Sequence, residues 1–505
     1  MSATVKTQQG KVQGRLCDGV HVFKGITYAA APFGVNRLRP PQPVAHWSGL
    51  RDALTYGPKC PQLPYPPPWD VLLPELVGTG EDCLTLNVWS SSLGSAKQPV
   101  MVWIPGGAFE KGTAAMAAYD GRQFARDGIV CVTMNYRVGA EGFLSLDDGI
   151  ANLGLLDQVA ALEWVQQNIA AFGGDPGNVT IFGESAGGMS VGMLLSMPRA
   201  KGLFRRAIAQ SGGAHQVISA ETALRVGRRV AETLGVAATR EAIAAVPVER
   251  LFKAQVVLKT ELATHPDMER WGREMVVSQM LWQPVVDGTV IPAQPIDLIA
   301  GGASADIDLM VGSTTDEWRF FLVPGNAIEQ ITTEILAAAV VAYGLPVNAT
   351  LAAYRAAHPD ASPGDLLAAI QGDWYVRVPV LRLADAHAKI ATTSSTHMYE
   401  FAWPSPMYNG RLGACHSLEV PFVFDTFSNA TEPLLGSAPP QQLADIMHAA
   451  WVAFAATGNC GWPTYDSETR ATMRFDTNSE VVRVSRSAIQ MLWENSLASP
   501  MANPR

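Results

Sequence analysis

The chain has 505 residues, 48% of them hydrophobic and 16% charged, which is enough apolar material for a large core. Lys and Arg number 37 against 46 Asp and Glu, a net charge of −9 with no long basic run, so nucleic acid is excluded as an expected partner. The first ten residues lack the apolar stretch of a signal peptide, and no uncharged apolar run is long enough to cross a bilayer. A cytoplasmic protein without a membrane span is therefore expected.

Residues 4–30 alternate around Gly10, Gly14, Gly19 and Gly25, which predicts short antiparallel hairpins. A Pro-rich loop with Tyr65 and Trp69 follows, between Cys60 and Cys83, and its prolines exclude helix or central strand. Val100–Ile104 and Ile129–Arg137 read as buried strands, the first ending in Pro105-Gly106-Gly107-Ala108-Phe109. Leu155, Val159, Leu162, Val165 and Ile169 recur at helical spacing until Gly173-Gly174-Asp175-Pro176 stops them. Further strands are predicted at 207–210, 308–312 and 397–402. This strand–helix alternation implies an α/β fold with a mostly parallel sheet. The intervals 216–300 and 326–390 are too long to be connections and carry good helix formers. They read as mostly helical insertions over the C-terminal edge of the sheet, within one domain spanning 1–505. Six cysteines in a chain of this length suggest neither a disulfide scaffold nor a zinc site, and no metal is expected.

The chemistry-bearing stretch is Val179–Gly188. A β-branched and aromatic run ends in Gly183-Glu184-Ser185-Ala186-Gly187, and small residues then open a helix. That is the strand–turn–helix setting of a nucleophile elbow, with the Ser185 hydroxyl raised above the sheet edge and a helix N-terminus beneath the developing anion. A serine nucleophile needs a base that titrates near neutrality, and nine histidines compete for the role. His387, His397 and His448 suit structural positions, whereas His416 lies in a loop after the last candidate strand.

Taken together these residues resemble the type-B carboxylesterases of the α/β-hydrolase fold, the group of cholinesterases and bacterial p-nitrobenzyl esterases. The similar stretches span most of the chain. They are Phe23–Ala29, Glu81-Asp82-Cys83-Leu84, Trp103–Phe109, Asn135-Tyr136-Arg137, Asn152–Gln158, Phe172–Gly188, Gln210-Ser211-Gly212, Asp316-Glu317 and His416–Phe424. The resemblance implies a cofactor-free serine esterase acting on small ester substrates, with Ser185, Glu317 and His416 as the catalytic triad. Asp316 is the rival carboxylate.

The resemblance further implies an oxyanion hole from the N–H groups of Gly107, Ala108 and Ala186. Ala108 stands where cholinesterases carry a third Gly; the related turn of small residues is associated with acceptance of tertiary-alcohol esters. Ser211 and Glu419 match positions that buttress the histidine, and Glu184 matches a buried acid beside the nucleophile. Arg37 with Glu81, and Arg137 with Asp157, match internal ion pairs. Cys60 and Cys83 match a disulfide of secreted relatives, but reduced thiols are expected here. Phe109, Phe320, Tyr65 and Trp69 are candidate pocket residues. A carbamate or amide hydrolase is the alternative chemistry, and a non-catalytic esterase-like binding protein the alternative class. Such binding proteins typically lose the triad, and this chain keeps it.

Overall fold

A computed structural model describes residues 2–483 and 487–498. Its strands are β1 (Ser2–Lys6), β2 (Lys11–Cys17), β3 (Val20–Thr27), β4 (Leu50–Asp52), β5 (Thr85–Ser90), β6 (Gln98–Ile104), β7 (Val130–Met134), β8 (Gly174–Glu184), β9 (Arg206–Gln210), β10 (Ile218–Ser219), β11 (Val285–Val286), β12 (Asp308–Thr314), β13 (Thr396–Phe401), β14 (Ala471–Phe475) and β15 (Glu480–Arg483). Thirteen of them form one sheet in the order β1-β2-β3-β5-β7-β6-β8-β9-β12-β13-β14-β15, with β4 paired to β2. From β7 to β14 every neighbouring pair is parallel, and the antiparallel strands lie towards the two edges. The doubly wound centre and antiparallel margins are the α/β-hydrolase architecture.

The central strands read as unbroken apolar runs because both faces are covered by helices. Side chains still alternate across the sheet. Val100, Val102, Ile104 and Ile181 enter one core, while Met101, Trp103 and Phe182 enter the other. In the second core Trp103 packs edge-on against Phe182 and Phe424, with ring centroids 4.9 and 5.0 Å away. Burial of each such side chain contributes about 1.5–3 kcal/mol. The N-terminal hairpins turn at Gly10 and Gly19. Gly14, by contrast, lies within β2, and Gly25 sits in β3 at a register shift against β5, with φ +72. These two glycines therefore serve close strand approach and a bulge rather than turns.

The interval 216–300 is mostly helical, but β10 and β11 pair within it as a two-stranded parallel ribbon. The interval 326–390 is helical throughout its regular elements, and a separate small core of Leu336, Val340, Tyr354, Leu366, Ile370 and Trp493 holds it together. Both intervals reach the C-terminal edge of the sheet. Gln255 accepts a hydrogen bond from Ala140 N–H, and Gly372 lies against Glu317. No single helix among the described residues is long and apolar enough to cross a membrane.

Arg137 and Asp157 form the expected pair, fully buried and doubly bonded (Nε–Oδ2 2.8 Å, Nη2–Oδ1 2.7 Å), which ties the loop after β7 to the helix Leu153–Asn168. Arg37 departs from expectation. It pairs with Glu141 at 2.7 Å and donates to the carbonyls of Ala244 and Val246, while Glu81 is exposed. A buried guanidinium needs partners inside the protein, and Glu141 is the carboxylate that is buried with it. All six cysteines are free; Cys60 Sγ lies 4.0 Å from the carbonyl of Cys83.

Candidate active site

At the end of β8 the backbone turns so sharply that Ser185 takes φ 59, ψ −125, a region that costs on the order of 1–3 kcal/mol for a residue with a side chain. The neighbours enforce it. A Cβ on Gly183 would come within 2.6 Å of the Gly187 backbone, and one on Gly187 within 2.0 Å of the Ile104 carbonyl, so only glycine allows β6 and the helix Ala186–Leu194 to meet. Ser185 N–H donates to the Gln210 carbonyl (3.0 Å), and its own carbonyl accepts from Met189 (2.8 Å). Between Val179 and Leu194 only Ser185 is more than marginally open to solvent.

Glu317 and His416 come together from loops 99 residues apart in the chain. Glu317 Oε1 accepts from Ser211 Oγ (2.6 Å) and Thr314 N–H (2.8 Å), which leaves Oε2 to face His416 Nδ1 at 2.5 Å. The backbone N–H of His416 also donates to the Glu317 carbonyl (3.2 Å), so the two residues are joined through both main chain and side chain. Asp316 turns the other way. It accepts from Ala414 N–H and pairs with Arg319 at 3.3 Å in a partly exposed position.

The opposite ring nitrogen, Nε2, lies 3.1 Å from Glu184 Oε1, which also accepts from Ser417 Oγ (2.7 Å). Burial alone would pull the His416 imidazole down; Glu184 and Glu317, with Glu419 behind them, outweigh it and hold it at about 9. Burial in turn pushes Glu184 above the usual carboxylate range. Glu419 does not touch the imidazole. Its Oε1 accepts from Gln210 Nε2 and Tyr399 OH, and burial pushes it up to about 8. Ser211 likewise bonds Glu317 and makes no hydrogen bond to the histidine.

The loop Gly106–Phe109 lies beside the elbow, since a Cβ on Gly106 would stand 3.0 Å from Ser185 Cβ. Gly107, Ala108 and Phe109 all have positive φ (123, 56 and 57). The N–H groups of Gly107, Ala108 and Ala186 have no acceptor among the described residues.

Of the candidate pocket aromatics, Phe320 has its ring 6.3 Å from His416, and Trp69 Nε1 donates to the Phe320 carbonyl, closing the Pro-rich loop over that side. Tyr65 sits under Lys111 at 5.2 Å. Phe109 is fully buried against Phe143, in the core beneath the loop. The sequence reading missed Phe321, whose ring is nearer to His416 than that of Phe320 (5.3 Å), and Trp318, which packs on Phe321 and stacks on Tyr375. The signal was present: three of the four residues after Glu317 are aromatic.

A serine on a strained strand-to-helix turn, with a histidine–carboxylate pair brought to the same sheet edge, places the molecule among the serine hydrolases of the α/β-hydrolase fold. The model of the carboxylesterase family matches residues 1–493. The chain is 38% identical to the para-nitrobenzyl esterase of Bacillus subtilis (strain 168), covering 94% of each chain. It is 34% identical to the phenmedipham hydrolase of Pseudarthrobacter oxydans, over 94% of this chain and 96% of that one. Among solved structures, the Geobacillus stearothermophilus carboxylesterase at pH 6.2 superposes with a TM-score of 0.84 at 36% identity, covering 97% of this chain and 99% of that one. A thermophilic para-nitrobenzyl esterase gives 0.85 at 36% identity, over 98% and 100%. The chain belongs to the carboxylesterase family, and it is a carboxylic ester hydrolase.

Proposed function

We propose that Ser185 attacks the ester carbonyl, His416 takes its proton, and Glu317 holds the imidazole in the tautomer that can do so. The N–H groups of Gly107, Ala108 and Ala186 receive the oxyanion. The alcohol leaves with the proton from His416, and the same histidine then activates water to release the acid from the acyl-enzyme. The observation that carries this reading is the 2.5 Å contact between His416 Nδ1 and Glu317 beside the one accessible serine of the elbow. Rapid mixing with a p-nitrophenyl ester tests it: a burst of nitrophenol stoichiometric with enzyme is expected, and a metal-activated water without acyl-enzyme would give none. Carbamate cleavage is the second reading, compatible with the similarity to a phenmedipham hydrolase; a carbamate should then turn over steadily rather than stop after one burst. We place the protein in the cytoplasm, a reading supported by free thiols at all six cysteines.

The pH profile follows from the charges around His416. The neutral imidazole is the base, so kcat/KM should rise with pH through an alkaline midpoint, because the surrounding carboxylates stabilise the protonated form up to about 9. Glu184→Gln removes the foremost of those charges, so the midpoint should move to lower pH. A midpoint that stays in place in this variant would show that Glu184 does not set it.

Ala108 gives a specificity prediction. A turn of small residues with left-handed φ leaves room beside the attacked carbonyl, so tert-butyl acetate should be hydrolysed measurably, though more slowly than the primary ester. Ala108→Gly removes both the methyl and the strain of φ 56, and should narrow the gap; Ala108→Val should widen it. Complete rejection of tertiary esters alongside fast cleavage of primary ones would show that this turn does not provide the room.

A further inference from the structure

A cavity of about 180 Å³ lies among the loop 215–217, the segment 273–283 and the helix Val378–Ile390. That is room for about six water-sized groups. One of its lining loops starts beside the nucleophile. A Cβ on Gly212 would stand 2.8 Å from the Ser185 carbonyl, and the three residues from Gly212 to His215 span at most about 11 Å. A continuous aromatic wall also joins it to the base. Ring centroids step from His416 to Phe321 (5.3 Å), Trp318 (4.5 Å), Tyr375 (4.0 Å), Trp374 (4.4 Å) and His215 (6.3 Å).

The cavity carries polar groups that lack hydrogen-bond partners among the described residues. Both ring nitrogens of His215 are shielded from solvent and have no partner among the described residues. Burial, helped by Arg382, pushes this imidazole down to about 3, so it is neutral near pH 7, with one donor and one acceptor. Arg382 lines the same space half-buried. Its guanidinium makes no hydrogen bond or ion pair among the described residues, and the Asp297 carboxylate acts on it only at longer range. Glu274 also lines the cavity, but its carboxylate is taken up by Ser219 N–H and Oγ. A shielded cation beside an unsatisfied donor matches an anion with planar acceptor oxygens.

A second, smaller cleft lies on the Glu184 side of the histidine. The leaving oxygen must take its proton from His416 Nε2, which faces Glu184. Ser417, the hydrogen-bond partner of Glu184, lines a small cleft with Leu72, Met116, Tyr119 and Leu434.

We propose that this cavity receives the acyl chain of the substrate, and that Arg382 with His215 selects acyl chains ending in a carboxylate, as in monoesters of short dicarboxylic acids. The proposal rests on the serine-esterase reading above. The test compares monoethyl adipate with ethyl hexanoate, which differ only at the far end of the acyl chain. Arg382→Gln should lower kcat/KM for monoethyl adipate about ten- to a hundredfold, the scale of one charge-assisted hydrogen bond, mostly through KM, and leave ethyl hexanoate within about threefold. Arg382→Lys should recover part of the loss. Equal effects on the two esters, or no effect on either, overturn the proposal. So does a loss confined to the acetate ester of 6-hydroxyhexanoate, which carries its carboxylate on the alcohol. Ethyl hexanoate turnover that depends on Ser185 in the same preparations keeps the esterase reading intact whichever way the adipate result falls.

Discussion

Ser185→Ala should lower kcat by roughly six orders of magnitude, the loss seen when a serine nucleophile is removed from a working triad. Stability should stay within about 0.5 kcal/mol of the parent, for reasons visible in the site. The Ser185 hydroxyl makes no hydrogen bond among the described residues, so removing it orphans no buried partner. Alanine also meets the same backbone strain at φ 59 that serine does. The residual rate should come from the oxyanion donors and from binding, and so remain above that of water alone. Labelling gives the complementary measurement. An organophosphate should modify Ser185 in the parent protein and nothing in the variant. Full activity in Ser185→Ala, or a labelled peptide from elsewhere in the chain, would remove the elbow from the mechanism.

The elbow was legible because its causes are local. A β-branched run, a glycine on each side of the serine and a small-residue helix start all lie within ten residues, and each has a steric reason. The strands at Val100–Ile104 and Ile129–Arg137 were legible because burial on both faces makes them continuous apolar runs; the structured strand in the second is Val130–Met134. The rest of the site was not, because it is made by distant contacts. Ser211 meets Glu317 across 106 positions, and no spacing rule encodes that; the resemblance gave Ser211 only as a support of the histidine. Two-residue strands such as β10 and β11 have no periodicity to read. β14 and β15, at the sheet margin, carry only a weak apolar pattern, and Arg474 and Glu480 interrupt it. The Arg37 error has the same origin. Which carboxylate is buried with a buried arginine depends on the fold, and Glu141 is 104 residues away. Phe321 and Trp318 were overlooked because adjacent aromatics point in different directions, and only the backbone path after Glu317 decides which one meets the imidazole.

Glu317→Gln should cost about four orders of magnitude in kcat, although the replacement is nearly isosteric. The neighbours of the carboxylate dictate how the amide must sit. Oε1 receives two donors, Ser211 Oγ and Thr314 N–H, so the glutamine has to place its oxygen there. Its NH₂ group then faces His416 Nδ1, where Oε2 now stands. Two donors cannot meet, so Nδ1 must give up its proton and the neutral ring carries it on Nε2. That nitrogen, which faces Glu184, is then a donor and no longer a base. The charge that stabilises the imidazolium is lost in the same substitution, so binding should change far less than turnover. Asp316→Asn is the control. It touches a partly exposed ion pair with Arg319 and a hydrogen bond from Ala414 N–H that asparagine can still accept, so less than about a tenfold change is expected. Thermal denaturation of both variants separates a catalytic loss from a folding one. If Asp316→Asn proved the more damaging while both remained folded, the carboxylate facing His416 would have to be reassigned.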